Sequence, residues 1–158
     1  ATPAAVKFWD AHWQPDDGFT NLTVDAVTLN GTQPALDLFA ARLADSRFSE
    51  DDRAGWMRAS ILIHRNDLLL LKMCDAYLRG NATPALKLAL LEVLFDEKPE
   101  VWFMPATVRK APPRPPLPKD AADVLTSLGQ YAIDHLSPPA ALDLKIKGTL
   151  QAITATQK

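Results

Sequence analysis

The sequence predicts an all-α protein, either an irregular helical bundle or a short stack of helical hairpins. Three amphipathic patterns follow one another almost without interruption between Ser49 and Glu97, and each begins with its own start signal. A sheet is not expected, because only one short segment of the chain alternates in the way a strand does. At Pro105 the helical pattern gives way to a proline-rich basic stretch that ends at Lys119.

Length and composition indicate a single helical domain over residues 1–158. A chain of 158 residues that is 47% hydrophobic and 23% charged is long enough to bury a substantial core. A net charge of -2 gives no long-range field that would attract phosphate backbones, so nucleic acid is not the expected partner. The most apolar stretch, residues 61–78, contains Asp67, Lys72 and Asp75, so no membrane span is expected.

The first residues and the single cysteine bear on location and stability. The chain begins Ala-Thr-Pro-Ala-Ala without a methionine, which is typical of a chain after signal-peptide removal or after trimming. We therefore expect a soluble periplasmic or secreted protein, with a cytoplasmic protein as the alternative. Cys74 lies within a helical pattern and has no second cysteine to pair with, so stability must come from packing.

Residues 1–31 are predicted to form an irregular arm. A short helix around residues 7–13 ends at the turn of residues 15–18, and its tryptophans Trp9 and Trp13 imply that it docks on the body of the domain. From Phe19 to Leu29 polar and apolar residues nearly alternate, which predicts a short extended segment before the turn at residues 30–31.

The remainder predicts six helices with identifiable ends. The cap of the second is Ser49, with Asp52 approximating a capping box; Asn66 or Asp67 caps the third, and Thr83 followed by Pro84 begins the fourth. The fourth is apolar on nearly its whole circumference and is expected to be the most enclosed. The six segments are approximately residues 34–45, 49–65, 67–79, 83–98, 120–136 and 139–153.

Short connections favour antiparallel packing of successive helices. The Pro-rich strap, residues 105–119, is expected to cross the surface within the domain in a polyproline II conformation. A stack of hairpins with tight corners is similar in shape to HEAT-type repeats. That likeness concerns helix lengths and corners alone, because no sequence motif recurs at a fixed period.

Few residues indicate reaction chemistry, and the usual phosphate-binding, zinc-helix and nucleophile motifs are absent from the sequence. Asp10, His12, Asp16 and Asp17 supply enough donors for a divalent ion, but the same aspartates are common in turns, and no metal site or cofactor is predicted. His64 beside Asp67 has the composition of a general base, although Asp67 also fits a helix cap.

Three features suit recognition of another protein. Arg109, Lys110 and Arg114 in the strap match the spacing of proline-rich ligands, a pattern that also arises in linkers. Glu92 and Asp96 lie one turn apart and form an acidic edge, which is either solvated or receives basic side chains. The aromatic N-terminus, with Trp9 and Trp13, is the third.

The sequence therefore favours a protein-binding module over an enzyme. We expect an adaptor or an immunity-type inhibitor that acts through its surface on another protein. The alternative is an enzyme or small-ligand binder with a site between the N-terminal arm and the helices, where His12 and His64 would converge. A third possibility is a part of a larger assembly, for which a large exposed apolar patch would be the sign.

Overall fold

The computed structural model confirms the all-α class. It describes residues 1–15, 17–64, 67–95 and 117–156, without the side chains of residues 59, 60 and 62–64. Within these residues the chain forms eight helices and no strand. The helices are α1 (Pro3–His12), α2 (Thr20–Asn30), α3 (Gln33–Ala44), α4 (Glu50–His64), α5 (Leu68–Arg79), α6 (Pro84–Phe95), α7 (Lys119–His135) and α8 (Ala140–Thr156).

Side-chain caps begin the central helices where the sequence predicts them. The Ser49 hydroxyl accepts a hydrogen bond from the Asp52 amide at 3.1 Å and donates one to the Asp52 carboxylate at 2.6 Å. The Asp67 carboxylate accepts from the amides of Leu69 and Leu70 at 2.8 and 3.2 Å. These bonds satisfy first-turn amides that have no partner within their helix, and they fix where each helix begins.

The helices form two rows. In one row α2 packs on α4, α4 on α6 and α6 on α8; in the other α3 packs on α5 and α5 on α7. The rows are joined by contacts between α2 and α3, α5 and α6, and α7 and α8. Helix α1 lies against both α2 and α3, so α1 and α2 form the N-terminal end of this stack.

One hydrophobic core runs between the rows, and α6 is enclosed as predicted. Seven of its side chains are buried, namely Leu86, Ala89, Leu90, Leu91, Val93, Leu94 and Phe95. Cys74 on α5 is fully buried, and this burial raises the pKa of its thiol far above the ordinary value. A thiol held neutral in this way acts as a small apolar core group.

The predicted extended segment at residues 19–29 is wrong, because these residues form α2. Val24 and Val27 face the core at helical spacing, and the buried Thr28 hydroxyl donates to the Val24 carbonyl at 2.9 Å within the same helix. Leu22 and Leu29, which created the alternating pattern, point away from the core. Residues 1–31 thus contain two helices instead of an irregular arm.

The ends of the helices differ in detail. Gly80 ends α5 in an extended conformation at a φ of −79°, whereas Gly31 closes α2 in the left-handed region at a φ of 61°. Helix α8 continues to Thr156, beyond the predicted end at residue 153. Lys119 belongs to α7, and residues 105–116 of the Pro-rich strap lie outside the described residues.

Candidate protein-binding surface

Helix α2 carries apolar side chains on two opposite sides. Its inner side buries Val24 and Val27 together with two threonines. At about 100° per residue, Leu22, Leu29 and Phe19, the capping residue just before α2, fall within an arc of about 80° that is centred roughly opposite the inner side. A surface helix ordinarily turns polar residues outward, so this second apolar stripe is not explained by the folding of α2.

The outer stripe is strongly exposed, and α1 adds a fourth apolar side chain beside it. The exposed fractions are 61% for Phe8, 60% for Phe19, 65% for Leu22 and 68% for Leu29. We call these four residues the N-terminal apolar face. Elsewhere in the described part of the chain, the large exposed hydrophobic residues are Leu69 and Leu144, on two different helices.

His12 links the aromatic residues of α1 and α2. Its ring lies 4.5 Å from the ring of Phe8 and 5.9 Å from that of Phe19, measured between centroids. The His12 Nδ1 atom is 3.4 Å from a carboxylate oxygen of Asp17, and the other oxygen of Asp17 accepts from the Phe19 amide at 2.8 Å. These contacts hold the turn between the helices and bring Phe8 and Phe19 to the same surface.

A small cleft lies at the C-terminal end of α2. Its volume is about 140 Å³, and Leu29 of the N-terminal apolar face forms part of its wall. The remaining lining residues are Thr28, Asn30, Gly31, Leu36, Asp67 and Leu70. An enclosed apolar cavity of comparable volume in another protein accepts a benzene ring, so this open and largely polar cleft has room for at most one side chain of that size.

The charge around this surface is mainly acidic, although the exposed Lys7 adjoins Phe8 on α1. Between residues 8 and 41 the sequence contains no lysine or arginine, but it contains five aspartates: Asp10, Asp16, Asp17, Asp25 and Asp37. Asp10 is paired with the guanidinium of Arg42. Asp25, on the exposed side of α2, has no ion-pair partner within the described residues.

The structure places the predicted site residues in different settings. Trp13 is fully buried, with its ring centroid 5.8 Å from that of Phe39 and 5.2 Å from that of Trp56, so it belongs to the core and cannot reach a partner. Trp9 is partly buried against the core, and Glu92 is exposed on α6. The other predicted binding residues, Asp96, Arg109, Lys110 and Arg114, lie outside the described residues.

The groups proposed for metal or acid-base chemistry do not gather into one site among the described side chains. Asp10 contacts Arg42 while Asp17 contacts His12, and Asp16 lies outside the described residues. In the part of the chain that the structure describes, no group of three or more His, Cys, Asp or Glu residues is arranged to hold a metal ion. The side chain of His64 is also not among the described ones, so its convergence with His12 stays a prediction.

No helix among the described residues combines the length and the apolar character that crossing a bilayer requires. Comparisons with protein-family models, with curated proteins and with solved structures give no match for this chain. A proposal about function therefore depends on the geometry of the surface.

The N-terminal apolar face was not among the predicted site residues, although the sequence contains a signal for it. If residues 20–30 are placed on a helix, Val24 and Val27 occupy one side while Phe19, Leu22 and Leu29 occupy the other. A short helix with two apolar sides can pack on both of them. Its own domain covers one side and leaves the other exposed.

Proposed function

We propose that this chain is a protein-binding module and that the N-terminal apolar face is its contact surface. The observation that carries the proposal is the exposure of Phe19, Leu22 and Leu29, each at 60% or more, along one side of α2. The buried centres of natural interfaces are apolar, are enriched in aromatic residues such as phenylalanine, and are surrounded by a polar rim. An adaptor or an immunity-type inhibitor would act in this way.

The size of the surface supports this proposal. A phenylalanine or leucine side chain that is mostly exposed leaves on the order of 100 Å² of apolar area in water. Four together approach the several hundred Å² of the largest exposed patch on a typical monomer, and such patches are often functional. Each such side chain gains about 1.5–3 kcal/mol when it is fully buried, so two or three anchors would contribute a large share of the free energy that binding requires.

The proposal is tested with the double variant Leu22→Gln/Leu29→Gln. Glutamine has nearly the helix propensity of leucine, so α2 should remain folded. Affinity capture from the native extract should recover a partner with the wild-type chain and not with the double variant. Leu144→Gln, at a residue that is 70% exposed on α8, is the matched control and should capture like the wild type. Equal recovery with all three chains would contradict the proposal.

A small-ligand site is the second candidate, because the cleft lies between α2 and α5, in the region where the sequence suggested one. Its volume of about 140 Å³ is smaller than that of most ligand pockets, which span about 300–1,000 Å³. His12 is not among its lining residues. A fragment-sized compound that raises the melting temperature of the wild type but not of a Leu70→Ala variant would favour this candidate.

The third possibility, that the chain is part of a larger assembly, involves the same surface, because an exposed apolar patch is the expected sign of a missing subunit contact. A periplasmic or secreted location is part of the proposal and is tested by fractionation of the source cells. Recovery in the cytosolic fraction would change the class of partner to be sought and would leave the contact surface as proposed.

A further inference from the structure

We propose that the partner contributes a basic amphipathic helix that lies along α2. This inference rests on the proposed function, and it adds the shape and the charge of the segment that would be bound. The shape follows from the end of the helical stack, and the charge follows from the acidic border of the N-terminal apolar face.

The shape of the surface suits a helix. From Phe19 to Leu29 the stripe runs for about 15 Å, which corresponds to about three turns of a partner helix placed alongside. In stacked helical proteins the outermost units normally present a polar outer face to solvent. Here α1 and α2 form the N-terminal end of the stack and expose apolar side chains, so a further helix would continue the packing already present.

The cleft supplies an anchoring position for such a helix. It opens beside Leu29, at one end of the stripe, and it has room for one ring-sized side chain. A partner helix with apolar residues at spacings of three and four would contact Leu22 and Leu29 and would place one side chain into the cleft. This arrangement is the helix-in-groove mode of recognition.

The charge of the border favours a basic partner over an acidic one. Asp25 lies on α2 next to the stripe without an ion-pair partner in the described part of the chain. The Asp17 carboxylate, which contacts His12 and accepts from the Phe19 amide, lies at the start of the stripe without a lysine or arginine partner among the described residues. Lysine or arginine beside the apolar stripe of the partner would be attracted to these carboxylates, whereas acidic side chains would be repelled. The same carboxylates disfavour an anionic membrane surface as the occupant.

The test uses three labelled synthetic peptides of eighteen residues and measures binding by fluorescence anisotropy. The first is a helix with leucine on one side and lysine on the other. The second replaces every lysine with glutamate, and the third has the composition of the first in an order that abolishes the apolar side. We expect the first peptide to bind at least about tenfold more tightly than either of the others, with an affinity that falls as salt rises.

Variants of the whole chain locate the contact. Leu22→Gln/Leu29→Gln should weaken binding of the lysine peptide about tenfold or more, since two anchors are lost. Asp25→Asn should weaken it by a few fold, as removal of a rim charge does. Leu144→Gln and Asp123→Asn change residues of the same types on α8 and α7 and should bind like the wild type.

The outcomes separate this inference from the proposed function. If the lysine and glutamate peptides bind equally and both lose affinity in Leu22→Gln/Leu29→Gln, the charge preference is refuted while the contact surface stands. If no peptide binds but capture from the native extract still requires Leu22 and Leu29, the helical partner is refuted. If capture also survives the double variant, the proposed function fails as well.

Two other occupants would overturn the inference directly. A second copy of this chain would appear in sedimentation velocity as a dimer that dissociates in Leu22→Gln/Leu29→Gln. A lipid surface would appear as cosedimentation with vesicles of phosphatidylcholine and phosphatidylglycerol that the same variant abolishes. We expect a monomer in the first experiment and no cosedimentation in the second.

Discussion

The hydroxyl of Tyr77 on α5 donates a hydrogen bond to the backbone carbonyl of Leu43 on α3 at 3.1 Å. That carbonyl lies in the last turn of α3, where backbone acceptors have no partner within the helix. It also accepts a hydrogen bond from Nη1 of Arg53 on α4 at 3.4 Å. Side chains from two later helices, α4 and α5, therefore donate hydrogen bonds to a backbone acceptor at the end of α3. Burial of Tyr77 beside this contact raises the pKa of its hydroxyl.

Replacing Tyr77 with phenylalanine tests this contact. Tyr77→Phe should lower the free energy of unfolding by about 1 kcal/mol, because it removes a partly buried hydrogen bond while keeping the ring. Tyr131→Phe is the matched control, since the Tyr131 ring packs under the Arg79 guanidinium at 4.4 Å from the ring centroid. Urea denaturation should show little change for the control, and equal losses in both variants would contradict the assigned role of the Tyr77 hydroxyl.

Gly129 permits a close approach of α7 to its neighbours. A Cβ atom at this position would lie 3.0 Å from a ring carbon of Phe95, 3.1 Å from a methyl of Leu150 and 3.2 Å from a methyl of Ile146. Alanine should therefore cost about 1–3 kcal/mol in overpacking, against a gain of about 1 kcal/mol in helix propensity.

The control is Gly148→Ala in α8, where the added Cβ meets nothing within 4 Å. It should raise the free energy of unfolding by up to about 1 kcal/mol through helix propensity alone. Thermal denaturation should thus place Gly129→Ala clearly below Gly148→Ala in melting temperature. The reverse order would show that α7 does not pack as closely as described.

Ser137 connects α7 to α8 with a φ of 47°, in the left-handed region that favours glycine. Ser137→Gly should raise the free energy of unfolding by up to about 1 kcal/mol, because the strain exceeds the added chain entropy. Ser137→Val should lower it by about 1–2 kcal/mol, since a β-branched side chain fits this conformation worst. If chemical denaturation gave Ser137→Val a higher free energy of unfolding than Ser137→Gly, this backbone conformation would be contradicted.

The Asp45 carboxylate gives a pH dependence with a defined sign. Hydrogen bonds from the Arg47 side chain, at 2.6 Å from Nη2 and 3.0 Å from Nε, lower the pKa of Asp45 to about 2. Because the folded pKa lies below the ordinary value of 3.8, the pair stabilises the fold above about pH 4 and loses this effect as the pH falls towards 2.

The measurement compares wild type with Arg47→Gln by denaturation between pH 6 and pH 2.5. Arg47 is exposed, so solvent screens the pair and the wild type should be only slightly more stable than the variant at pH 6. The difference should shrink steadily below pH 4. A difference that is constant over this range would mean that the guanidinium does not bind the charged form of Asp45.

Local signals in the sequence predicted most of the helices well. Ser49, Asp67 and Thr83 stand before helices that begin at residues 50, 68 and 84, because a short polar side chain that accepts from first-turn amides is a local requirement. The enclosure of α6 was also predictable, since its leucines leave no polar side. These features depend on neighbours in sequence and need no knowledge of the tertiary structure.

Helix α2 could not be predicted in this way. Its Leu22 and Leu29 contributed to a near alternation of polar and apolar residues, which predicted an extended segment, because local patterns do not distinguish an apolar residue that packs inside from one that remains outside. The same side chains now form the candidate surface. Trp13 was expected both to dock α1 on the body of the domain and to belong to a contact surface; its burial agrees with the first expectation and not with the second.

Site-specific photo-cross-linking tests the central claim most directly. A photoreactive phenylalanine analogue is placed at position 22 or, as the control, at position 144, and each chain is irradiated in the native extract. We predict one discrete protein adduct from position 22, absent from position 144 and lost when Leu29→Gln is added. Equal labelling from both positions, or an adduct from position 144 alone, would contradict the assignment of the N-terminal apolar face as the binding surface.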